Sequence, residues 1–267
     1  MKHVSLKNGG LRKKNIFKHS QKNRPLISII TVVKNNKKYL EKTIKSIIGQ
    51  SYKNYELIII DGNSTDGSLE IIKKFDNLNL VDLWTSENDL GIYYAFNKGL
   101  AVAQGEMIGF VNSDDILLKD ALKILVKYYN KNKNFDFIFG SVKKHWGVLH
   151  GYRPWKIKFT WGFYSSHSTG FFIKKNAAKI VGPYNTKYKL SSDYDYFYRM
   201  IVKLKLRGIS TKKSELFGIF RRGGFSSKIN FFDHMAECTR IRLDNGQNKF
   251  IVLATFIMKF IFNIKKL

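Results

Sequence analysis

The stretch Glu56-Leu57-Ile58-Ile59-Ile60-Asp61-Gly62-Asn63-Ser64-Thr65-Asp66-Gly67 decides the fold. A short apolar run dominated by isoleucine suits a strand buried on both faces. It ends abruptly in a cluster of Asp, Gly, Asn, Ser and Thr, the residues that make turns. Ser68 to Phe75 then carries helical spacing. Strand, polar turn and helix in this order make the unit from which wrapped parallel sheets are built.

The same unit recurs on either side. Upstream, Pro25 opens the β-branched run Leu26 to Val33. A helical segment, Tyr39 to Ile48, follows with Leu40, Ile44, Ile47 and Ile48 on one face, and Gly49 stops it. Downstream, Leu80 to Trp84 reads as a third strand and Gly91 to Ala103 as a helix. Met107 to Val111 is a strand, Leu117 to Tyr129 a helix and Phe135 to Phe139 a further strand. In such α/β sheets, ligands bind beyond the carboxyl ends of the strands. Polar clusters follow three of these strands. After Gly140 the pattern turns irregular and aromatic, from Trp146 through Tyr164. Helical spacing returns at Asn176 to Val181 and Ser192 to Val202. Three regions are expected: a basic, flexible or loosely helical arm over 1–24, an α/β domain over 25–226, and a helical tail over 227–267.

The 267 residues suffice for a substantial core, and a charged fraction of 25% with three prolines argues against disorder. Lys and Arg number 47 against 20 Asp and Glu, a formal net charge of +27. That balance favours anionic partners: nucleic acid, an acidic membrane surface or phosphorylated ligands. A solvated lysine-rich surface explains it equally well. The single cysteine, Cys238, excludes an intrachain disulfide and a cysteine-based zinc site. The basic N-terminus lacks the apolar stretch of a signal peptide, so chemistry is expected on the cytoplasmic side. Phe250 to Ile264 is almost wholly apolar, broken by Lys259 and followed by Lys265 and Lys266. It is shorter than the roughly 20 residues a spanning helix needs. An interfacial anchor and a helix packed on protein both fit it.

Four polar clusters carry candidate chemistry. In Asn112-Ser113-Asp114-Asp115, two acids stand just past an apolar strand. Carboxylate oxygens there suit Mg²⁺ or Mn²⁺ holding a diphosphate; acids that answer the dipole of the following helix are the structural alternative. Asp61 and Asp66 frame a loop that suits a nucleobase and ribose, or an ordinary strand-to-helix turn. Glu87 to Gly99 opens a helix whose N-terminus attracts phosphate, with Lys98 as an added charge; a capped amphipathic helix accounts for it too. In Ser191-Ser192-Asp193-Tyr194-Asp195 an acid is available as a general base, or as a partner for the helix dipole.

Read in order, these blocks resemble the family 2 inverting glycosyltransferases of GT-A fold. Within that family the chain is similar to the branch that builds bacterial surface polysaccharides, of the colanic-acid type. The resemblance runs from about Leu26 to about Ser226. It rests on Ile29 to Asn35, the Asp61 to Gly67 turn, Ser86 to Tyr93, Asn97-Lys98-Gly99, Gly109 to Asp115, His167, Ser192 to Asp195 and Gly223-Gly224-Phe225-Ser226. No single block is specific, but the ordered set is.

The resemblance implies a nucleotide-sugar donor, UDP-linked by family frequency, and a Mn²⁺ or Mg²⁺ ion. It implies donor-binding positions at Thr31, Asn35, Asp61, Asp89, Asn97, Lys98 and Asn112, with Thr31 and Asp61 at the nucleobase and ribose. Asp114 matches the metal-binding acid, with Asp115 beside it; Asp193 matches the catalytic base; His167 lies on the acceptor side. Three positions depart from the pattern. Asn112 replaces the first acid of Asp-x-Asp, Tyr94 stands where this branch often has Asp, and Ser168 follows His167 where Gln is common.

The expected reaction is sugar transfer to a hydroxyl of a glycan or lipid-linked saccharide. The expected setting is the cytoplasm, peripherally on the inner face of an anionic membrane. Two rivals are a basic nucleic-acid-binding protein and a non-catalytic nucleotide-sugar-binding homologue. No zinc-finger spacing or RNA-recognition signature is visible, so nucleic acid is not an expected partner.

Overall fold

The computed structural model describes residues 7–159, 168–221, 223 and 230–263. The strands are β1 (Lys7–Gly9), β2 (Ile27–Val33), β3 (Tyr55–Asp61), β4 (Leu83–Ser86), β5 (Met107–Phe110), β6 (Ile116–Leu117), β7 (Phe137–Phe139), β8 (Ser141–Lys144), β9 (Gly147–Leu149), β10 (Phe171–Lys174), β11 (Gly208–Ser210) and β12 (Leu216–Ile219). The α-helices are α1 (Lys37–Ile48), α2 (Ser68–Asn77), α3 (Ile92–Val102), α4 (Ala121–Lys131), α5 (Lys175–Val181), α6 (Ser192–Tyr198), α7 (Phe231–Asp244) and α8 (Lys249–Asn263). A π-helical turn, Arg199–Lys203, prolongs α6.

Residue parity along β2 and β3 sorts the core. Both strands are buried throughout. Ile30, Val32, Ile58 and Ile60 join Phe96 of α3 and Phe197 of α6 on one face. Ile27, Ile29, Leu57 and Ile59 join Leu40 and Ile44 of α1, Ile72 of α2 and Leu125 of α4 on the other. That double burial is why the strands read as continuous apolar runs rather than alternating ones. The large sheet runs β1-β4-β3-β2-β5-β10-β7-β11. The four strands β4, β3, β2 and β5 are parallel, so their carboxyl ends form one rim. A second sheet, β6-β12-β8-β9, lies beyond β5 in the chain.

Three differences from the sequence reading have clear causes. First, β10 enters antiparallel between β5 and β7. A Cβ on Gly109 would meet the Phe172 ring at 2.2 Å, so glycine is what lets these two strands lie side by side. Second, the helix expected from Leu117 begins at Ala121, because Ile116 and Leu117 pair with β12. The Gln50 side chain then holds the turn, accepting from Leu122 N–H (3.2 Å) and donating to Leu118 O (2.8 Å).

Third, the basic segment expected to be flexible is docked from Lys7 onward. β1 covers the edge of β4, and Leu11 and Arg12 N–H groups bond Val81 and Asp82 carbonyls at 3.0 Å. Its cations answer buried acids. Arg12 pairs with Glu56, which is 1% exposed, and Lys18 reaches Asp82 at 2.9 Å. Glu56 also accepts from Ser28 Oγ and, at 2.8 Å, from Gln104 N–H. These acids lie toward the amino ends of the strands, away from the rim.

Candidate active site

The rim is laced by short polar bonds between the loops after β2, β3 and β5. Asn35, at φ 50°, donates its N–H to Ser64 Oγ (2.8 Å), and its Oδ1 accepts from Thr65 N–H (2.8 Å). Asn36 donates its side-chain amide to Ser113 Oγ at 2.8 Å. Asp66 gathers the N–H groups of Lys37 (2.8 Å) and Ser68 (3.0 Å). Left-handed conformations at Asn35, Asn63 and Gly67 allow these tight reversals.

Asp114 stands on this rim immediately after β5. Its carboxylate pairs with Arg221 at 3.0 Å, and the same guanidinium stacks 3.8 Å from the Tyr39 ring. Asn112, two residues earlier, has a buried Oδ1 without a hydrogen-bond partner among the described residues. Asp193 opens α6, where the Tyr93 hydroxyl reaches its Oδ1 at 3.1 Å. Burial pushes the Tyr93 phenol well above its usual range, with the Asp193 charge adding to the effect, so the phenol stays a donor. Tyr93 lies in the first turn of α3, the helix that follows the rim loop after β4. Asp114, 79 positions before Asp193, follows the carboxyl end of β5, and Asp193 is tied through Tyr93 to the helix that follows β4. On the far side Glu237 of α7 accepts the N–H groups of Lys189 and Leu190 at 2.8 Å each, which fixes the turn before Asp193.

Residues 28–197 match the family described as glycosyl transferase family 2. The chain belongs to that family. Among curated proteins, it is 30% identical over 190 residues to an uncharacterized glycosyltransferase of Methanocaldococcus jannaschii, covering 67% of this chain and 65% of that one. It spans 44% and 40% of the lengths of two further relatives. Among solved structures, S. aureus TarS 1–349 in complex with UDP-GlcNAc matches with a TM-score of 0.67 at 19% identity, covering 88% of this chain and 72% of that one. The mannosyltransferase PcManGT from Pyrobaculum calidifontis, in complex with GDP-Man and Mn²⁺, matches at 0.64 and 17%, covering 88% and 69%. These likenesses carry the fold, and the family 2 chain has the GT-A arrangement expected for it.

Several site residues of this family 2 chain lie where the sequence reading did not expect them. Asp115 was paired with Asp114 as a metal ligand, but it is 1% exposed and turned inward. Thr169 Oγ1 (2.9 Å), Ser168 Oγ (3.2 Å) and Arg221 N–H (3.2 Å) donate to its two oxygens. Burial first, and Asp114 second, push its pKa up to about 7. It fastens the turn before β10 and the segment after β12 to the rim. Asp61 is likewise 1% exposed. Its oxygens accept from Ser64 Oγ (2.5 Å), Ser64 N–H (3.1 Å) and Ser86 Oγ (2.6 Å), so it fixes the shape of the loop. Thr31 is fully buried beneath the rim, its hydroxyl without a partner among the described residues.

Asn97 is also turned to the fold: its amide donates to Tyr184 O and accepts from Tyr184 N–H, both at 2.8 Å. Lys98 pairs with Glu87 at 2.9 Å and remains about one-third exposed. Asp89 sits beside Gly62, where a Cβ would approach its Oδ2 to 2.7 Å. His167, and Gly224, Phe225 and Ser226 of the last block, lie outside the described residues.

The sequence reading missed Arg221, Tyr93 and Tyr39. Arg221 was legible only through its neighbourhood, two residues before the Gly223-Gly224 block. Tyr93 closes the Ser86 to Tyr93 block, but its role was not legible there, and Tyr39 carries no local signal, because their contacts join parts of the chain far apart in sequence.

The remaining donor set suits a hard divalent cation. Mg²⁺-like ions bind through one or two carboxylates and substrate phosphates rather than a full protein cage. Among the described residues no group of three or more His, Cys, Asp or Glu gathers. Asp114, and two residues before it the Asn112 oxygen without a partner among the described residues, are the donors on this loop that could hold such an ion.

Proposed function

We propose that the chain is an inverting glycosyltransferase that moves a sugar from a nucleotide-sugar donor, by family frequency a UDP-sugar, onto an acceptor hydroxyl. The acceptor class is a glycan or lipid-linked saccharide of surface-polysaccharide assembly, met on the cytoplasmic side. Two observations support the reading: Asp114, just past the carboxyl end of β5, is paired with Arg221, and Asp193 is held by Tyr93 in the first turn of the helix that follows β4.

In this reading Asp193 takes the proton from the acceptor hydroxyl. The freed oxygen attacks the anomeric carbon from the face opposite the nucleotide. The bond from that carbon to the diphosphate oxygen breaks, and its electron pair leaves with the nucleoside diphosphate. An α-linked donor therefore gives a β-linked product. Asp114 would hold a Mn²⁺ or Mg²⁺ ion, which would supply positive charge to balance that on the diphosphate. Arg221, released from Asp114, offers a planar fork suited to a phosphate oxygen. Asp89 and Lys98 border the donor, with Glu87 holding Lys98 until phosphate arrives. Alignment of donor and acceptor supplies much of the rate.

The test is Asp193→Asn with Mn²⁺ or Mg²⁺ and a panel of nucleotide sugars. Donor affinity by calorimetry stays within about twofold, and transfer falls by about 10²-fold or more, the scale of general-base help. Normal turnover by this variant overturns the base assignment. Absence of donor binding by the unaltered chain across the panel overturns the whole reading.

A further inference from the structure

Helix α8 is built inside out. Its inward face carries Val252 and Thr255, which are buried, and the half-buried Lys259. Thr255 Oγ1 accepts from Arg242 at 2.9 Å. Burial pushes the Lys259 ammonium down to about 8. The outward face reads Phe250, Leu253, Ala254, Ile257, Ile261 and Phe262, a stripe at helical spacing with no charged residue. Phe250 is 82% exposed, Phe262 75% and Ile261 60%. Soluble surfaces rarely expose so continuous an apolar stripe.

The charge of the chain decides what covers it. At +27, two copies meeting face to face repel each other, whereas an anionic surface attracts each of them. Cations bound the helix in sequence: exposed Lys249 begins it, and Lys265-Lys266 follow it in the chain. No helix among the described residues is long and apolar enough to cross a membrane. An apolar face bordered by basic residues on a helix too short to span is the pattern of a helix lying in a bilayer interface.

We propose that α8 is a membrane-docking helix that lays Phe250, Leu253, Ile257, Ile261 and Phe262 into the surface of a bilayer carrying anionic phospholipid. The inference stands on the exposed stripe and the charge, and does not depend on the transferase reading.

The test is co-sedimentation of the full chain with vesicles of phosphatidylcholine alone and of phosphatidylcholine with phosphatidylglycerol. Three chains are compared: the unaltered one, Leu253→Glu/Ile257→Glu, and Leu78→Glu as a control at an exposed apolar residue on another helix end. The altered side chains are exposed, and thermal melts confirm that all three fold. The unaltered and control chains are expected to sediment with the anionic vesicles at low salt, and the double variant to bind at least tenfold more weakly. A Leu253→Trp chain is expected to show blue-shifted emission on those vesicles. Three outcomes overturn the proposal: no binding by the unaltered chain, equal binding by the double variant, or a dimer in solution that the double variant dissolves while vesicles recruit neither chain.

Discussion

At the residue scale, adjacent acids in one motif have opposite fates. Asp114 keeps contact with solvent and an exchangeable cation, while Asp115 is sealed among Ser168, Thr169 and the Arg221 backbone. The motif marked the place where polar side chains gather, but side-chain direction after a strand end depends on partners just before β10 and just after β12, which a local reading cannot supply. Asp115 has a consequence for stability. Its folded pKa, about 7, lies above its ordinary value of 3.8. Its contribution is therefore complete at acid pH and is lost as pH rises from about 4 to about 7, on the order of 2–4 kcal/mol in total. Asp115→Asn should flatten that slope in urea melts taken across the window, since the Ser168 and Thr169 hydroxyls can accept from an amide as readily as donate. A separate prediction concerns Tyr93. Tyr93→Phe removes the donor that steers Asp193, so kcat should fall about tenfold with donor KM little changed, as expected for help realised in the transition state. A rise in donor KM at constant kcat would instead make Tyr93 a residue of ground-state binding.

At the element scale, the parallel strands and most of their helices were legible because burial on both faces writes itself as unbroken apolar runs. The antiparallel insertion β10 was not. It is four residues long and its place depends on Gly109 giving room to Phe172, a pairing 63 residues apart in sequence. The N-terminal segment was misread for a related reason. Its cations look solvated until the buried acids they answer, Glu56 and Asp82, are brought to them by β3 and the turn before β4. Arg12→Ala leaves Glu56 charged and buried without its cation, and should cost about 3–5 kcal/mol in chemical denaturation. Arg12→Ala with Glu56→Gln should recover part of that loss, because the remaining donors, Ser28 and Gln104 N–H, suit a neutral amide oxygen.

At the scale of the whole molecule, the two ends of the parallel strands do different work. The amino ends gather buried acids and the basic segment that neutralises them; the carboxyl ends gather loops whose hydrogen bonds leave Asp114, Asn112, Asp89 and Lys98 along one rim. The order of motifs made the family readable, since it records the order in which the strands deliver their loops to that rim. Which of those side chains face outward was not readable: Asp61, Asn97 and Asp115 are drawn inward by partners supplied elsewhere in the fold. The central claim is that Asp114 and Asp193 address one donor from opposite sides. A crystal structure with Mn²⁺ and an intact nucleotide sugar, using Asp193→Asn to prevent turnover, tests it most directly. The account predicts anomalous manganese density beside Asp114 and the anomeric carbon between that density and position 193. A nucleotide bound away from the rim, or position 193 on the same side of the sugar as the diphosphate, would contradict it.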